Sequence, residues 1–289
     1  MTRADAFAPA KINLTLHVTG RRQDGYHLLD SLVVFADLGD RISVREAQGV
    51  NLHITGPKAA GLTSGEDNLV LRAARLAGVS DARITLEKHL PAAAGIGGGS
   101  ADAAATLRAL TTSHGIAIPE REQVLSLGAD VPICLISETL RMGGIGERID
   151  RVQGVPPLPA VLVNPGVPVH TPDVFRALTC RNGSPMSEIP AFADVSGCVR
   201  WLAQQRNDLE APAMRICPPI GECLAALRRE NALLARISGS GATCFGIYDT
   251  LHGARAASDA LRRAHPDWWS QPVTLARAGC ADHRRRDTT

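Results

Sequence analysis

The 289-residue sequence has no Cys-x-x-Cys pair, no 18-residue apolar run, no internal repeat and no low-complexity segment. These absences argue against a thiol–zinc module, a membrane-spanning helix, a solenoid and a disordered linker. Its seven cysteines (Cys134, Cys180, Cys198, Cys217, Cys223, Cys244 and Cys280) are odd in number and fit free thiols in a reducing compartment. Met1–Ala10 lacks the basic-then-apolar order of a secretory signal, so a cytoplasmic location without a membrane partner is expected. Excess charge is also scarce. A formal net charge of +2 gives no basic stripe for nucleic acid, and Arg284-Arg285-Arg286 reads as a solvated tail. Aromatic residues make up only 3% of the chain, which gives weight to Tyr26, one of two tyrosines. Only three of the 31 basic residues are lysine: Lys11, Lys58 and Lys88. In so arginine-biased a chain a lysine suggests a need for a compact, movable point charge. The length allows one large or two medium domains.

Glycine, by contrast, is concentrated in one place. Pro91–Leu110 carries Gly95, Gly97, Gly98 and Gly99, then an alanine-rich run. Glycines can take positive φ and turn consecutive N–H groups into a concave nest. Ser100 and Asp102 are good helix starters, and Ala103, Leu107 and Leu110 recur at helical spacing. Arg83–Leu90 alternates as a strand. Strand, glycine nest and helix together make an anion site suited to a nucleotide phosphate. It is neither a Walker loop nor a dinucleotide fingerprint, because no Gly-Lys-Ser/Thr follows and Ser100 takes the place of the last glycine.

Phe7–Val18 alternates Ala8, Ala10, Ile12, Leu14, Leu16 and Val18 against Pro9, Lys11, Asn13, Thr15 and His17. That pattern predicts a half-buried strand whose polar face, taken alone, would meet solvent. Asp24-Gly25 is a turn, and on its own the following Tyr26-His27 pair would pack on the core. Ile42–Glu46 and Val50–Thr55 read as a hairpin around Ala47-Gln48-Gly49. Asp67-Asn68 caps a helix on Leu69, Ala73 and Leu76, and Pro119–Leu127 is a short helix. Pro132 biases Val131 toward an extended backbone, leaving Asp130 on a turn as a candidate base. Gly154–Pro159 is the expected boundary, giving domains 1–155 and 156–289. Beyond it, strands are predicted at Ala160–Val163, Ala235–Ser238, Cys244–Tyr248 and Val273–Ala276. Helices are predicted at Cys198–Gln204, Ile220–Arg229 and Leu251–Arg263, and after Thr171-Pro172 through Phe175 with Thr171 as the cap. Strands and helices without regular alternation argue α+β in both halves.

Five motifs occur in order: Pro9–Leu14, Asp24–His27, Pro91–Ala105, Gly128–Pro132 and Ser238–Ala242. Together they resemble the 4-diphosphocytidyl-2-C-methyl-D-erythritol kinase family, within the superfamily of galactokinase, homoserine kinase, mevalonate kinase and phosphomevalonate kinase. The resemblance implies an N-terminal domain like the second domain of ribosomal protein S5, a ferredoxin-like C-terminal domain, and an active site in the cleft between them. It implies an ATP-dependent small-molecule kinase of the non-mevalonate isoprenoid pathway, acting on the 2-hydroxyl of a cytidine diphosphate-linked methylerythritol with Mg²⁺, as a monomer or weak homodimer.

The resemblance also implies residue roles. Lys11 and Asp130 match the catalytic pair. Pro91, Ala92, Ala93, Ala94, Gly95 and Ile96, with Gly97, Gly98, Gly99, Ser100 and Ala101, match the ATP phosphate loop. Asn13, Tyr26, His27, Thr171 and Phe175 match the substrate site, the cytosine lying between Tyr26 and Phe175 with His27 as its polar partner. Ala93 and Ala94 stand where many members carry glycine or a larger apolar residue. Ala101 replaces a serine common there, so Ser100 is the one loop hydroxyl left as a magnesium ligand.

Overall fold

A single strand of 19 residues, β3 (His27–Arg45), organises the N-terminal half of the chain. In this computed structural model residues 3–276 are described. The terminal arginine run and Cys280 lie outside them. Before β3 come β1 (Ala4–Asn13) and β2 (His17–Arg21); after it come β4 (Val50–Thr55), α1 (Leu69–Leu76) and β5 (Ala82–Glu87). Then follow α2 (Gly98–His114), α3 (Arg121–Leu125), α4 (Val131–Ile136), β6 (Leu140–Gly144) and β7 (Arg148–Arg151). The C-terminal half runs β8 (Leu158–Asn164), α5 (Thr171–Arg176), α6 (Val195–Ala203), α7 (Glu210–Ile216), α8 (Pro219–Arg229), β9 (Leu234–Ile237), β10 (Cys244–Ile247), α9 (Leu251–Ala264) and β11 (Trp269–Leu275).

The first part of β3 pairs antiparallel with β2 and β6, and its last part with β1 and β5. Beyond the middle, β9, β10, β8 and β11 form an antiparallel set that reaches β3 where Leu275 faces Ala36. The expected hairpin at 42–55 does not form. β5 lies between β3 and β4, and β4 pairs parallel with β5. A parallel pair needs a crossover, and α1 supplies it, capped as predicted by Asn68 accepting from the Val70 N–H at 2.9 Å.

α2 packs on β1 and β3 and is flanked by α1 and α4. Its small residues Ala101, Ala103, Ala104 and Ala105 are fully buried there, so the alanine run lets a helix lie close to the sheet. A second apolar cluster joins Ala10, Ile12, Leu14, Leu32 and Val34 to Leu158, Ala160, Leu162 and Phe245. The two halves therefore share a core along the apolar face of β1.

The polar face of Phe7–Val18 is not at the surface. Lys11, Asn13, Thr15 and His17 are all within 5% of complete burial, and the regular strand ends at Asn13 before resuming as β2. Each finds a partner from distant chain, because a buried polar group left unpaired is costly. Thr15 Oγ1 accepts from the Leu32 N–H at 2.8 Å. His17 Nε2 accepts from the Arg206 N–H at 3.0 Å, and its Nδ1 lies 3.1 Å from the Ser184 carbonyl. That geometry requires a neutral ring that donates from Nδ1. Burial lowers the His17 pKa, helped by the Arg206 charge against the pull of Asp208 and Asp30. The unfolded chain then binds the proton more readily, so His17 contributes stability above its ordinary value of 6.5 that is lost as pH falls. Urea midpoints at pH 7.5 and 5.5 should differ more in the wild type than in His17→Gln; equal differences would contradict this assignment.

Candidate active site

Lys11 reaches the site through an irregularity in β1. The register against β3 shifts between Pro9 and Lys11, and Pro9 has no N–H to give. The Lys11 N–H instead donates to the Ile96 carbonyl at 2.9 Å, which ties β1 to the glycine loop. The Lys11 ammonium, 6% exposed, pairs with Asp130 at 2.8 Å. Asp130 sits just before α4, and Val131 and Pro132 form the first turn of that helix. The expected extended Val131 gives way because a first-turn proline has no helical hydrogen bond to lose. Asp130 makes no capping bond of its own, and its carboxylate stays one-third exposed toward the cleft.

The glycine loop is more specific than the sequence suggests. Positive φ is confined to Ala93, Gly95 and Gly97; Gly98 and Gly99 open α2, so the helix starts earlier than Ser100 or Asp102. Gly97 is the left-handed cap, and no side chain caps the helix. The first helical bond runs from the Ala101 N–H to the Gly97 carbonyl at 2.8 Å. The N–H groups of Gly98, Gly99 and Ser100 precede it, at residues that line the cleft. An uncapped helix start facing a cleft favours anions.

Each glycine excludes a side chain for its own reason. A Cβ on Gly95 would lie 2.3 Å from the Gly241 carbonyl oxygen and 2.8 Å from that of Ser238. One on Gly97 would meet Lys11 Cβ at 3.2 Å, and one on Gly98 would meet Lys88 Nζ at 3.3 Å.

The Ser238–Thr243 turn between β9 and β10 clasps the loop from the other side. Ser238 Oγ donates to the Gly95 carbonyl and accepts from the Asn13 N–H, both at 3.1 Å. The Thr243 N–H donates to the Ala94 carbonyl at 3.1 Å. Asn13 Nδ2 donates to Ser31 Oγ at 2.8 Å. Thr171 is not the cap of α5. His170 holds that position, while the Thr171 hydroxyl bonds Ser240 at 2.8 Å. Ser238 and Ser240 belong to the Ser238–Ala242 motif, which carries no residue role in the sequence reading, and Ser31 has no local sequence signal.

At the far end of the cleft Tyr26 is 63% exposed rather than packed on the core. His27 stacks on Phe175 with ring centroids 4.9 Å apart and planes 23° apart. His27 Nε2 is buried with no hydrogen-bond partner. Burial lowers its pKa, and Arg21 and Arg181 lower it further, so the ring is neutral near pH 7.

Beneath the loop lies a group that the sequence did not assign. Lys88 Nζ donates to Asp40 and, at 2.7 Å, to Asp102. All three are buried. β5 ends at Glu87, one residue before this lysine, so the predicted strand to Leu90 is shortened. Burial pushes the Asp102 carboxyl up to about 8, against the opposing pull of Lys88.

Lys11, Asn13, Tyr26, His27, Thr171, Phe175, Asp130 and the glycine loop all line one cleft of about 1230 Å³. Pockets for a single small ligand are roughly 300–1,000 Å³, so this cleft is larger than one such ligand requires. Among the described residues no group of three or more His, Cys, Asp or Glu could hold a metal ion. Ser100 carries the one hydroxyl of the loop, and it lines the cleft.

The family models "GHMP kinases N terminal domain" and "GHMP kinases C terminal" match residues 68–138 and 190–267. A 4-diphosphocytidyl-2-C-methyl-D-erythritol kinase of Cereibacter sphaeroides is 57% identical over 94% of this chain and 99% of its own length. The kinase of the same name from Dinoroseobacter shibae is 56% identical over 93% of this chain and 94% of its own. The crystal structure of a 4-(cytidine 5'-diphospho)-2C-methyl-D-erythritol kinase superposes with a TM-score of 0.79 at 36% identity, covering 95% of this chain and all of that one. A homoserine kinase from Cytophaga hutchinsonii, 18% identical with a TM-score of 0.66 over 96% of this chain and 95% of its own, shares the fold. At this identity, over nearly the whole length, the chain belongs to the 4-diphosphocytidyl-2-C-methyl-D-erythritol kinase family of the GHMP kinases.

Proposed function

We propose that the protein transfers the γ-phosphoryl group of ATP to the 2-hydroxyl of 4-diphosphocytidyl-2-C-methyl-D-erythritol, giving the 2-phosphate and ADP. The observation that carries this is the Lys11–Asp130 pair, 2.8 Å apart, in the cleft that the glycine loop also lines. Phosphoryl transfer needs positioning and charge stabilisation more than covalent help. On this reading the loop from Pro91 to Ala101 receives the ATP phosphates on the N–H groups that open α2. Asp130 accepts the proton of the attacking hydroxyl. Lys11, buried beside it at 2.8 Å, holds the Asp130 side chain in place and stabilises charge on the transferring group. A magnesium ion bound to the phosphates would neutralise their charge, and Ser100 is the residue placed to touch it. On this reading residues 1–155 are the ATP-binding domain and 156–289 the substrate-binding domain. Among the described residues the cysteines at 134, 198, 217, 223 and 244 are free and buried, and Cys180 is free and exposed.

Cytosine is read at the other end. Tyr26 and Phe175 supply flat walls, and His27, stacked on Phe175 and lining the same cleft, is the polar residue beside them. These contacts persist through ground and transition states, so their loss raises KM more than it lowers kcat. A lost stacking contact is worth roughly 0.5–1.5 kcal/mol beyond area burial. Phe175→Ala should therefore raise KM for the cytidine substrate at least several-fold, with KM for ATP unchanged. An unchanged substrate KM, or a defect in ATP instead, would remove the cytosine pocket. The reaction itself is tested by turnover with ATP and the cytidine substrate, followed by phosphorus NMR. The expected product resonance is a new phosphomonoester at the tertiary 2-carbon; ATP consumption without it would overturn the assignment.

A further inference from the structure

The catalytic reading leaves a buried lysine and two buried carboxylates unused. Asp40, near the middle of β3, accepts from the N–H groups of His89 at 2.6 Å and Leu90 at 2.8 Å through one oxygen. Through its other oxygen it accepts from Lys88. Those contacts fix the chain just before Pro91, where the glycine loop begins. Asp102 stands where the loop has become helix, one turn after Gly98, and accepts from the same ammonium at 2.7 Å. One charge thus joins the entry and the exit of the loop. Lys88 Nζ also lies under Gly98, where a Cβ would come within 3.3 Å of it.

The arrangement is poorly explained by stability alone. Two carboxylates share one ammonium in a site with 3% or less exposure, and Asp102 Oδ1 has no hydrogen-bond partner. A buried group of this kind is costly, and an apolar residue would often serve stability as well. What an apolar residue would lack is a directional tie from the sheet to the first turn of α2. Anion binding depends on that turn, because its free N–H groups must hold one orientation.

We propose that Lys88, clamped by Asp40 and Asp102, is the positioning residue of the phosphate loop. It holds the N–H groups of Gly98, Gly99 and Ser100 in the geometry that receives the nucleotide phosphates. The proposal rests on the ATP-binding part of the function above. It assigns no contact with either substrate to the three residues.

Asp102 is the member to change, because its loss leaves Lys88 and Asp40 as a balanced pair. Asp102→Ala and the bulkier Asp102→Leu cut the tie; Asp102→Asn keeps a carbonyl oxygen for Lys88. Binding of N-methylanthraniloyl-ATP should weaken roughly tenfold or more in the Ala and Leu variants, the usual size of effect when a supporting partner is lost. It should stay within about twofold of wild type in Asp102→Asn. KM for the cytidine substrate should not change in any of them, and melting temperatures should fall little. Unaltered nucleotide binding in whichever of the two cut variants folds would overturn the proposal, as would equal weakening toward both substrates. If neither cut variant folds, the three residues are structural and the proposal fails. Nucleotide binding is read without the alcohol. Weakened binding in the cut variants, together with a wild type that binds nucleotide but does not turn over the cytidine substrate, would thus sink the proposed reaction and leave the anchor standing.

Discussion

Asp130→Asn should bind ATP and the cytidine substrate nearly as the wild type does and turn over about 10²–10⁴-fold more slowly, the usual contribution of a general base. The side-chain carbonyl of asparagine can still accept from Lys11 at the 2.8 Å spacing, so shape and packing survive while the anion and the base are lost. The loss should appear in kcat, because the proton moves only as the bond to phosphorus forms. Single-turnover kinetics with saturating ATP would isolate the chemical step from product release. A variant within a few-fold of wild type would take Asp130 out of the mechanism and leave the pair with Lys11 as a structural contact.

Gly95→Val is expected to damage both fold and nucleotide binding. Gly95 has φ +72°, and its missing Cβ would stand 2.3 Å from the Gly241 carbonyl oxygen, a backbone atom that cannot swing aside. A β-branched residue in that conformation costs on the order of 1–3 kcal/mol in strain alone. Overpacking against the Ser238–Thr243 turn adds roughly 1–3 kcal/mol. The clasp formed by Ser238 Oγ on the Gly95 carbonyl would open with it. The urea midpoint should drop markedly, and KM for ATP should rise in whatever fraction folds. Gly99→Ala is the control, since a Cβ there meets only Leu69 Cδ1 at 3.4 Å. Equal stability and ATP kinetics in Gly95→Val and Gly99→Ala would contradict the clasp.

Much of the site was legible because it is written in short stretches. The glycine cluster, the helix after it, the Asn68 cap and the Asp24-Gly25 turn each depend on a few neighbouring residues. Their local chemistry dictates the backbone wherever the chain goes. The same holds for the order of the five motifs, which sufficed to indicate the family. Finer assignments failed where local preference met a tertiary demand. Ser100 and Asp102 are good helix starters, yet α2 opens at Gly98, packed so closely over the buried clamp that a Cβ there would meet Lys88 Nζ at 3.3 Å. Val131 yields its extended preference to α4, which packs on α2.

Local signals in the sequence indicated the phosphate loop and several of the helices and strands, while most of β3, and β6, β7 and α7, carried no such signal; Lys11 and Asp130 as a catalytic pair came from the resemblance. The tertiary structure alone decided which strands are neighbours and what covers each face. Alternation in Phe7–Val18 shows that one face is apolar; it cannot show that Ser31, Ser184, Arg206 and Ser238 arrive from distant chain to cover the other. Nor could two adjacent strand signals reveal that β5 would come between them. The Lys88 clamp is the clearest case. Asp40 lies in β3, Lys88 just past the end of β5 and Asp102 in α2, and nothing local to any of them specifies the others. Their meeting follows from packing α2 on the sheet, where a buried charge is tolerated only if the fold delivers its partners.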